Sequence, residues 1–224
     1  MCKKTIVCLA NSYREGGRCI AGLEILRDWR IGEWIRPIAN QNRKSINVTE
    51  MTCSDGTRVN VLDVVEIPFS QHMPSGHHTE DHIIAPGIKW VKKGKMSSQE
   101  ARQLAAPLQP PLWVDGNSST HGLNDRVSRA CLIGISSSLK FIHLDRLILH
   151  SLMEDQKDAP PKRAIRAIFS HGSAEYKLKL TDPKYWNLEI GEHHLRDVLI
   201  CVSLGEIYEK TGHAYKIVAS VIKC

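Results

Sequence analysis

The chain has 224 residues, of which 42% are hydrophobic and 24% are charged, and it carries a formal net charge of +6. These proportions are typical of a soluble globular protein and exclude a chain that is disordered throughout. The basic balance favours a polyanionic partner without requiring one.

Seven cysteines stand at irregular spacing with no C-x-x-C pair, which is typical of reduced thiols in the cytoplasm. The apolar run at residues 5–10 is too short for the hydrophobic region of a signal peptide. No stretch approaches the roughly 20 apolar residues of a membrane span. These observations predict a cytoplasmic protein with no membrane contact.

The first 96 residues are predicted to be β-structure. Five segments have the composition of short strands, namely residues 5–10, 18–26, 33–39, 62–69 and 83–91. Pro37 places the third segment at a sheet edge or a strand end, and Pro86-Gly87 interrupts the fifth. The polar stretch 40–60 is predicted to be a long loop or an irregular insert.

The middle of the chain differs in character. The letters SSQE at residues 97–100 match a capping box, in which a serine oxygen accepts the N3 amide proton and the glutamate reaches back. Apolar residues then repeat at helical spacing, at Ala101, Leu104, Ala105 and Leu108, before prolines end the pattern. Residues 109–130 are rich in Pro, Gly, Asn and Ser, which predicts a connector on the surface.

The last third is again predicted to be β-structure. Its candidate strands are residues 139–152, 164–169, 174–180, 197–204 and 213–222. In segment 174–180 the apolar and polar residues alternate strictly, which indicates a half-buried strand. The letters SHGS at residues 170–173 form a good hairpin turn before it.

Two sets of five strands, separated by a helix and a loop-rich connector, predict a mostly β protein of two small OB-like antiparallel barrels. The predicted parts are a first barrel at residues 1–96, the helix and connector at 97–131, and a second barrel at 132–224. Strand counting alone fits an SH3-like barrel or a single β-sandwich nearly as well. No strong residue-level repeat relates the two halves.

Five motifs in order carry a resemblance to a known family: CLANSYREGGRCIAG, WIRPIA, LDVVEIPF, HHTEDHII and VSLGEIY. With these motifs the chain resembles the bacterial dual OB-fold-containing domain family over nearly its whole length. The resemblance implies two OB-folds and a module that recognises nucleic acid or a nucleotide, often near prokaryotic conflict and defence systems. It implies no catalytic signature.

The stretch NSYREGGRCIAGLEI at residues 11–25 is the first candidate site. Its candidate ligand-binding residues are Asn11, Ser12, Arg14, Gly16, Gly17 and Arg18. Two glycines permit positive φ and let backbone N–H groups converge on an anion, and two arginines offer bidentate contacts to phosphate. The alternative is an ordinary hairpin with solvated arginines. The spacing excludes a Walker A loop.

Trp34 and Arg36 form the second candidate. They are two residues apart, so on a strand they share one face, and an indole beside a guanidinium is a stacking platform for a base. The alternative places Trp34 in the core and pairs Arg36 with a carboxylate such as Glu33 or Glu50.

The third candidate comprises two neighbouring basic segments. Residues 71–82 hold four histidines, of which His78 is taken as a ligand contact in a groove-lining loop. A metal site is not predicted there, because the flanking residues 74–76 (Pro, Ser, Gly) indicate a loop, not a helix that would align His78 with His82, and no H-E-x-x-H pattern is present. The following letters KWVKKGK predict contacts to a single-stranded backbone from Lys89, Trp90, Lys92 and Lys93. The alternative for both segments is a solvated polar surface.

A basic stripe is possible in the second half as well. Lys162, Arg163 and Arg166 precede the hairpin, and Lys177 and Lys179 lie on the polar face of its second arm. If that face lines a groove, these side chains would follow phosphates. A solvated sheet face explains them equally well.

Together these residues predict a non-catalytic module that binds nucleic acid or a nucleotide, without metal or cofactor. One alternative is an adaptor that docks a partner enzyme, and another is a metal-dependent hydrolase or nuclease that uses the histidine cluster. Enzyme signals are weak, because the sequence has no G-x-S-x-G elbow and Cys8 and Cys19 lie in apolar strand contexts.

Overall fold

A computed structural model describes residues 1–14, 16–42, 44–105, 111–156 and 159–224. Within these ranges the chain forms twelve β-strands, one α-helix and two short 3₁₀ helices, so the predicted mostly β class is confirmed. The chain divides into two compact units, the first made of residues 1–104 and 135–138 and the second of residues 105–134 and 139–224. None of the helices described is long and apolar enough to cross a lipid bilayer.

The first unit holds one six-stranded sheet. Its strands are β1 (Cys2–Arg14), β2 (Gly17–Ile25), β3 (Ile31–Ile38), β4 (Asp63–His72), β5 (Asp81–Ile84) and β6 (Val91–Lys95). Their order is β1-β2-β3-β5-β4-β6, and β1 also pairs with β4. The first five strands therefore form a closed circuit of pairs, in which β3 and β5 are parallel and the other neighbours are antiparallel.

The second unit holds another six-stranded sheet. Its strands are β7 (Arg126–Ser128), β8 (Leu139–Gln156), β9 (Ala159–His171), β10 (Ala174–Leu180), β11 (Gly191–Tyr208) and β12 (His213–Lys223). Their order is β10-β9-β8-β11-β12-β7, and β10 also pairs in parallel with β12. Strands β8 to β12 repeat the circuit of β1 to β5, so the two units share a topology that no residue-level repeat revealed.

The single α-helix, α1 (Ser98–Arg102), begins as predicted. The Ser97 hydroxyl accepts the Glu100 amide proton at 3.1 Å, and the Ser97 amide donates to the Glu100 carboxylate at 2.8 Å. The helix ends at Arg102, before the predicted helical positions Leu104 and Ala105, so it is shorter than the apolar spacing predicts. The predicted continuation at residues 106–108 lies outside the described residues.

Each unit has its own apolar core, set by strand alternation. In β10, Tyr176, Leu178 and Leu180 are buried while Glu175 and Lys179 are exposed, as the period-two pattern predicts. Segment 40–60 is irregular in its described part, but it is more than a surface loop. It contributes four buried side chains to the core of the first unit, namely Ile46, Met51, Cys53 and Val59.

Candidate functional site

A strand face with several basic residues lies on the outer side of β9 and β10 in the second unit. The core side chains occupy the inner side, so alternate residues point outward. Pairing places Lys179 opposite Arg166 and Lys177 opposite Ile168, and Lys162 lies on the same side of β9, opposite Glu154. We call Lys162, Arg166, Lys177 and Lys179 the basic face.

The four cations of the basic face are not equivalent. Arg166 is buried and makes two bonds to the buried Glu154 carboxylate, at 2.6 and 3.0 Å. Burial by itself would raise the pKa of Glu154, but the hydrogen bonds and charge of Arg166 lower it. The three lysines make no salt bridge to any residue that the structure describes. The excess positive charge of this face therefore belongs to the lysines.

Crowding leaves this charge poorly compensated. The pKa of Lys179 is lowered, chiefly by desolvation of its ammonium group and further by the neighbouring charges of Arg166 and Lys162. Opposite charge placed beside such a group favours its protonated form. An anion bound to the basic face would thus relieve repulsion that already exists between its cations.

In the first unit, the structure does not bring Arg14 and Arg18 together. Strand β1 runs unbroken to Arg14, which lies opposite Gly17, and Tyr13 lies opposite Arg18. Residues directly opposite share a face and successive residues alternate. Arg14 and Arg18 therefore point to opposite faces of the hairpin, and one phosphate cannot be clamped by both.

The paired glycines have a structural explanation. Gly16 has φ +79, as a tight turn requires. Gly17 lies against the backbone of Ile46, whose amide and carbonyl each bond to Arg18 at 2.8 Å, and an added Cβ would collide with the Ile46 carbonyl. Gly17 therefore permits a close approach between its own backbone and the backbone of Ile46.

We expect Gly17→Ala to destabilise the protein by about 1–3 kcal/mol, because the added methyl group forces the two backbones apart. Gly56→Ala is a useful contrast in urea unfolding, since space around Gly56 is open and its cost would come only from its positive φ. Equal midpoints for wild type and Gly17→Ala would contradict this role.

Asn11 and Ser12 are also used within the fold. The Asn11 side-chain amide donates to the Val59 carbonyl at 2.8 Å. Ser12 is buried, with 2% of its surface exposed. Both side chains are therefore at least partly enclosed by the fold.

Arg36, which the sequence predicts to contact phosphate, is held in a buried ionic cluster. It is 5% exposed, and its guanidinium bonds to Glu80 at 2.7 Å and to Asp81 at 3.2 Å. It also donates to the Ser138 hydroxyl at 2.6 Å, and Lys44 pairs with the other oxygen of Asp81 at 3.0 Å. The alternative in which Arg36 pairs with a carboxylate describes the structure, although with Glu80 and Asp81 as partners. Two acids and two bases leave no net charge for a ligand.

Trp34 lies two residues before Arg36 on β3 and shares its face. It is partly buried and stands opposite Leu23 of β2. The indole and the guanidinium therefore lie on one face, as predicted from their spacing, but the guanidinium is already paired with Glu80 and Asp81.

Trp90 is the residue of the KWVKKGK segment that the sequence predicts to stack on a base. Its side chain is fully buried in the core of the first unit, so neither ring face is available to a base. The neighbouring lysines are largely paired: Lys92 bonds to Asp63 at 2.8 Å, which raises the pKa of Lys92, and Lys93 lies 3.3 Å from Glu66. Lys89 donates to the Thr49 carbonyl at 3.2 Å and borders a cavity of about 190 Å³ with mostly apolar walls.

The histidine segment is held by structural contacts. His78 is buried, and the rings of His72 and His82 stack with centroids 4.4 Å apart. One ring nitrogen of His72 lies 2.7 Å from the Thr79 carbonyl and one of His82 lies 2.9 Å from the Glu80 carbonyl. Burial lowers the pKa of His82. Among the described residues no group of three or more His, Cys, Asp or Glu side chains is arranged to hold a metal ion.

Sequence reasoning missed a buried lysine in the second unit. Lys216 is 1% exposed, donates to the Asn124 carbonyl at 2.6 Å and lies 5.4 Å from the centre of the Tyr176 ring. Desolvation lowers its pKa to about 8, although Asp125 and Asp115 oppose the shift. The sequence signal was a lysine at an inward position of an alternating strand.

The free energy of unfolding should rise between pH 8 and about 10 because of Lys216. In that interval the unfolded chain keeps the lysine proton while the folded chain has lost it, so folding is favoured as pH rises, by about 2–3 kcal/mol in total. Urea unfolding at several pH values should show a larger rise in wild type and in Lys140→Met than in Lys216→Met, in which the lowered pKa of Lys179 still favours a rise and the raised pKa of Cys53 opposes it. Equal rises in wild type and Lys216→Met would contradict this assignment. Measurements stay below pH 10, where the raised pKa of Tyr185, about 12, begins to act in the opposite direction.

Comparison with known proteins gives one finding. A family described as the dual OB-containing domain matches residues 4–221, which cover both sheets. No curated protein matches the chain.

Proposed function

Because the chain belongs to the dual OB-containing domain family, we propose that it is a non-catalytic module that binds single-stranded nucleic acid through the basic face of its second unit. OB-folds are five-stranded barrels that bind oligonucleotides on the face of their second and third strands. In the circuit β8 to β12, the second and third strands are β9 and β10. The basic face lies on these two strands, and this coincidence carries the proposal.

The length of the basic face favours an oligonucleotide over a mononucleotide. Lys162 and Arg166 are four residues apart on β9, which corresponds to roughly 13 Å of strand. Lys162 at one end of this span and Lys179, which lies opposite Arg166, at the other end can each meet a different phosphate. Flexible ammonium groups act as point charges and follow a backbone without reading its sequence.

The phosphate contact is assigned to the second unit, because the equivalent surface of the first unit is neutralised. There the cation on β3 is Arg36, and its partners Glu80 and Asp81 are buried with it. A cytoplasmic setting is part of the proposal, supported by seven cysteines that form no disulfide within the described residues. A role in prokaryotic defence follows from the family resemblance.

The test is a binding measurement with a fluorescent oligonucleotide of about 15 nucleotides, within the range of site sizes of OB-folds. Anisotropy is recorded with single-stranded DNA and RNA at about 50 and 200 mM salt. Counterion release predicts binding that weakens steeply as salt rises, and a duplex competitor should displace the strand poorly. Absence of binding to either strand at low salt would contradict the proposal and favour the protein adaptor.

A further inference from the structure

The turn between β2 and β3 presents an exposed tryptophan. Trp29 has 80% of its surface exposed, and its φ of +64 lies in the left-handed region. The turn around it is well formed, since the Trp29 amide donates to the Leu26 carbonyl and the Leu26 amide donates to the Arg30 carbonyl, each at 2.9 Å. The indole is therefore held outward on an ordered backbone.

The fold itself gives no reason for tryptophan at this position. A left-handed conformation is unfavourable for residues other than glycine, with partial exceptions for asparagine and aspartate. Both hydrogen bonds that close the turn use backbone atoms, so glycine would make them equally well. Exposure of a large apolar ring to water brings no stability. A strained backbone that carries an exposed aromatic ring is an observation that points to a ligand.

The surroundings of Trp29 indicate which ligand. Arg27 is exposed and forms no salt bridge with any residue that the structure describes, whereas Arg30 pairs with Asp28. An exposed indole two residues from an exposed guanidinium offers a stacking surface and a positive charge on one turn, the two features that a single-stranded nucleic acid requires. The turn also joins the second and third strands of its circuit, the strands that bind oligonucleotides in OB-folds.

We infer that Trp29 stacks on an unpaired base of single-stranded nucleic acid and that Arg27 contacts an adjacent phosphate. This inference rests on the proposed function, and it adds a contact that the first unit makes by itself. Stacking is tolerant of base identity, because every base has an aromatic face. Trp29 therefore contributes affinity for single strands without sequence preference.

The test compares oligonucleotide affinity among four proteins by anisotropy. Trp29→Ala should weaken binding by about tenfold, the usual effect of losing one stacked base, whereas Trp29→Phe should retain most of the affinity. Trp186→Ala removes another exposed indole, 46% exposed and located in the second unit, and should bind like wild type. Equal losses in Trp29→Ala and Trp186→Ala would overturn the inference, because the effect would then be general to exposed rings.

Trp29→Gly separates binding from folding. Glycine relieves the left-handed backbone, so the thermal midpoint should stay the same or rise by a few degrees, while affinity falls as in the alanine variant. Unaltered affinity in both variants, with wild type binding the strand, would overturn the inference and leave the proposed function intact. If wild type binds no strand and Trp29 variants instead lose a protein partner, both the inference and the proposed function fail.

Discussion

Simultaneous replacement of Lys162, Lys177 and Lys179 by glutamate is expected to weaken oligonucleotide binding by about a thousandfold at low salt. Each lysine that meets a phosphate makes a charge-assisted bond of about 1.5 kcal/mol, and three such losses amount to about 4 kcal/mol. Reversal of charge adds repulsion to the loss. The fold should tolerate the change, because Lys162 and Lys179 are exposed, Lys177 is half-buried, and the three lysines make no salt bridge within the described part of the chain.

The salt dependence supplies a second readout of the same triple variant. Each lost phosphate contact lowers the slope of log affinity against log salt by about 0.7 for a single strand, so three contacts lower it by about 2. A matched control reverses three other lysines of the second unit, Lys140, Lys184 and Lys223, and changes net charge by the same amount. Equal losses of affinity in the two triple variants would show a general effect of net charge and contradict a localised basic face.

Replacement of Arg36 by methionine is expected to lower the free energy of unfolding by about 3–5 kcal/mol, the usual result of removing one partner from a buried ionic cluster. Glu80 and Asp81 are 3% and 0% exposed, so they cannot regain water without opening the fold. Lys44 would still pair with Asp81, and the Ser138 hydroxyl would still donate to Glu80, but neither replaces the guanidinium charge. Urea unfolding can be followed by tryptophan emission, to which the buried Trp90 of the same unit contributes.

A double variant separates unpaired charge from lost packing. Arg36→Met combined with Glu80→Gln removes one base and one acid, so it should be less destabilised than Arg36→Met alone. Oligonucleotide affinity should be retained wherever the variants are folded, because the guanidinium is already occupied. A large loss of affinity in folded Arg36→Met, with little change in stability, would restore the predicted phosphate contact.

The two predicted effects illustrate why charge in a sequence is a poor guide to a binding surface. Arg36 and Lys179 are equally cationic in the sequence, yet one is neutralised by buried acids and the other is repelled by its neighbours. The predicted site residues lay almost entirely in the first unit, where most of their polar groups have structural partners. The sequence shows the basic residues of β9 and β10, but only strand pairing shows that Lys179 lies opposite Arg166 on one face.

The sequence by itself determined the features that depend on near neighbours in the chain. The capping box at Ser97, the alternation along 174–180 and most strand positions follow from local propensity and periodicity, which act over a few residues. The resemblance of the five motifs also indicated the family, and the family implies two OB-folds.

Only the tertiary structure decided which side chains are available. Ser138 closes the Arg36 cluster from 102 positions along the chain, Lys92 meets Asp63 from a different strand, and Trp90 is enclosed by strands distant in sequence. Burial and charge compensation depend on partners that folding brings together over such separations, and no local pattern encodes them. Trp29 is the converse case, since only the folded turn shows an indole held in water on a left-handed backbone.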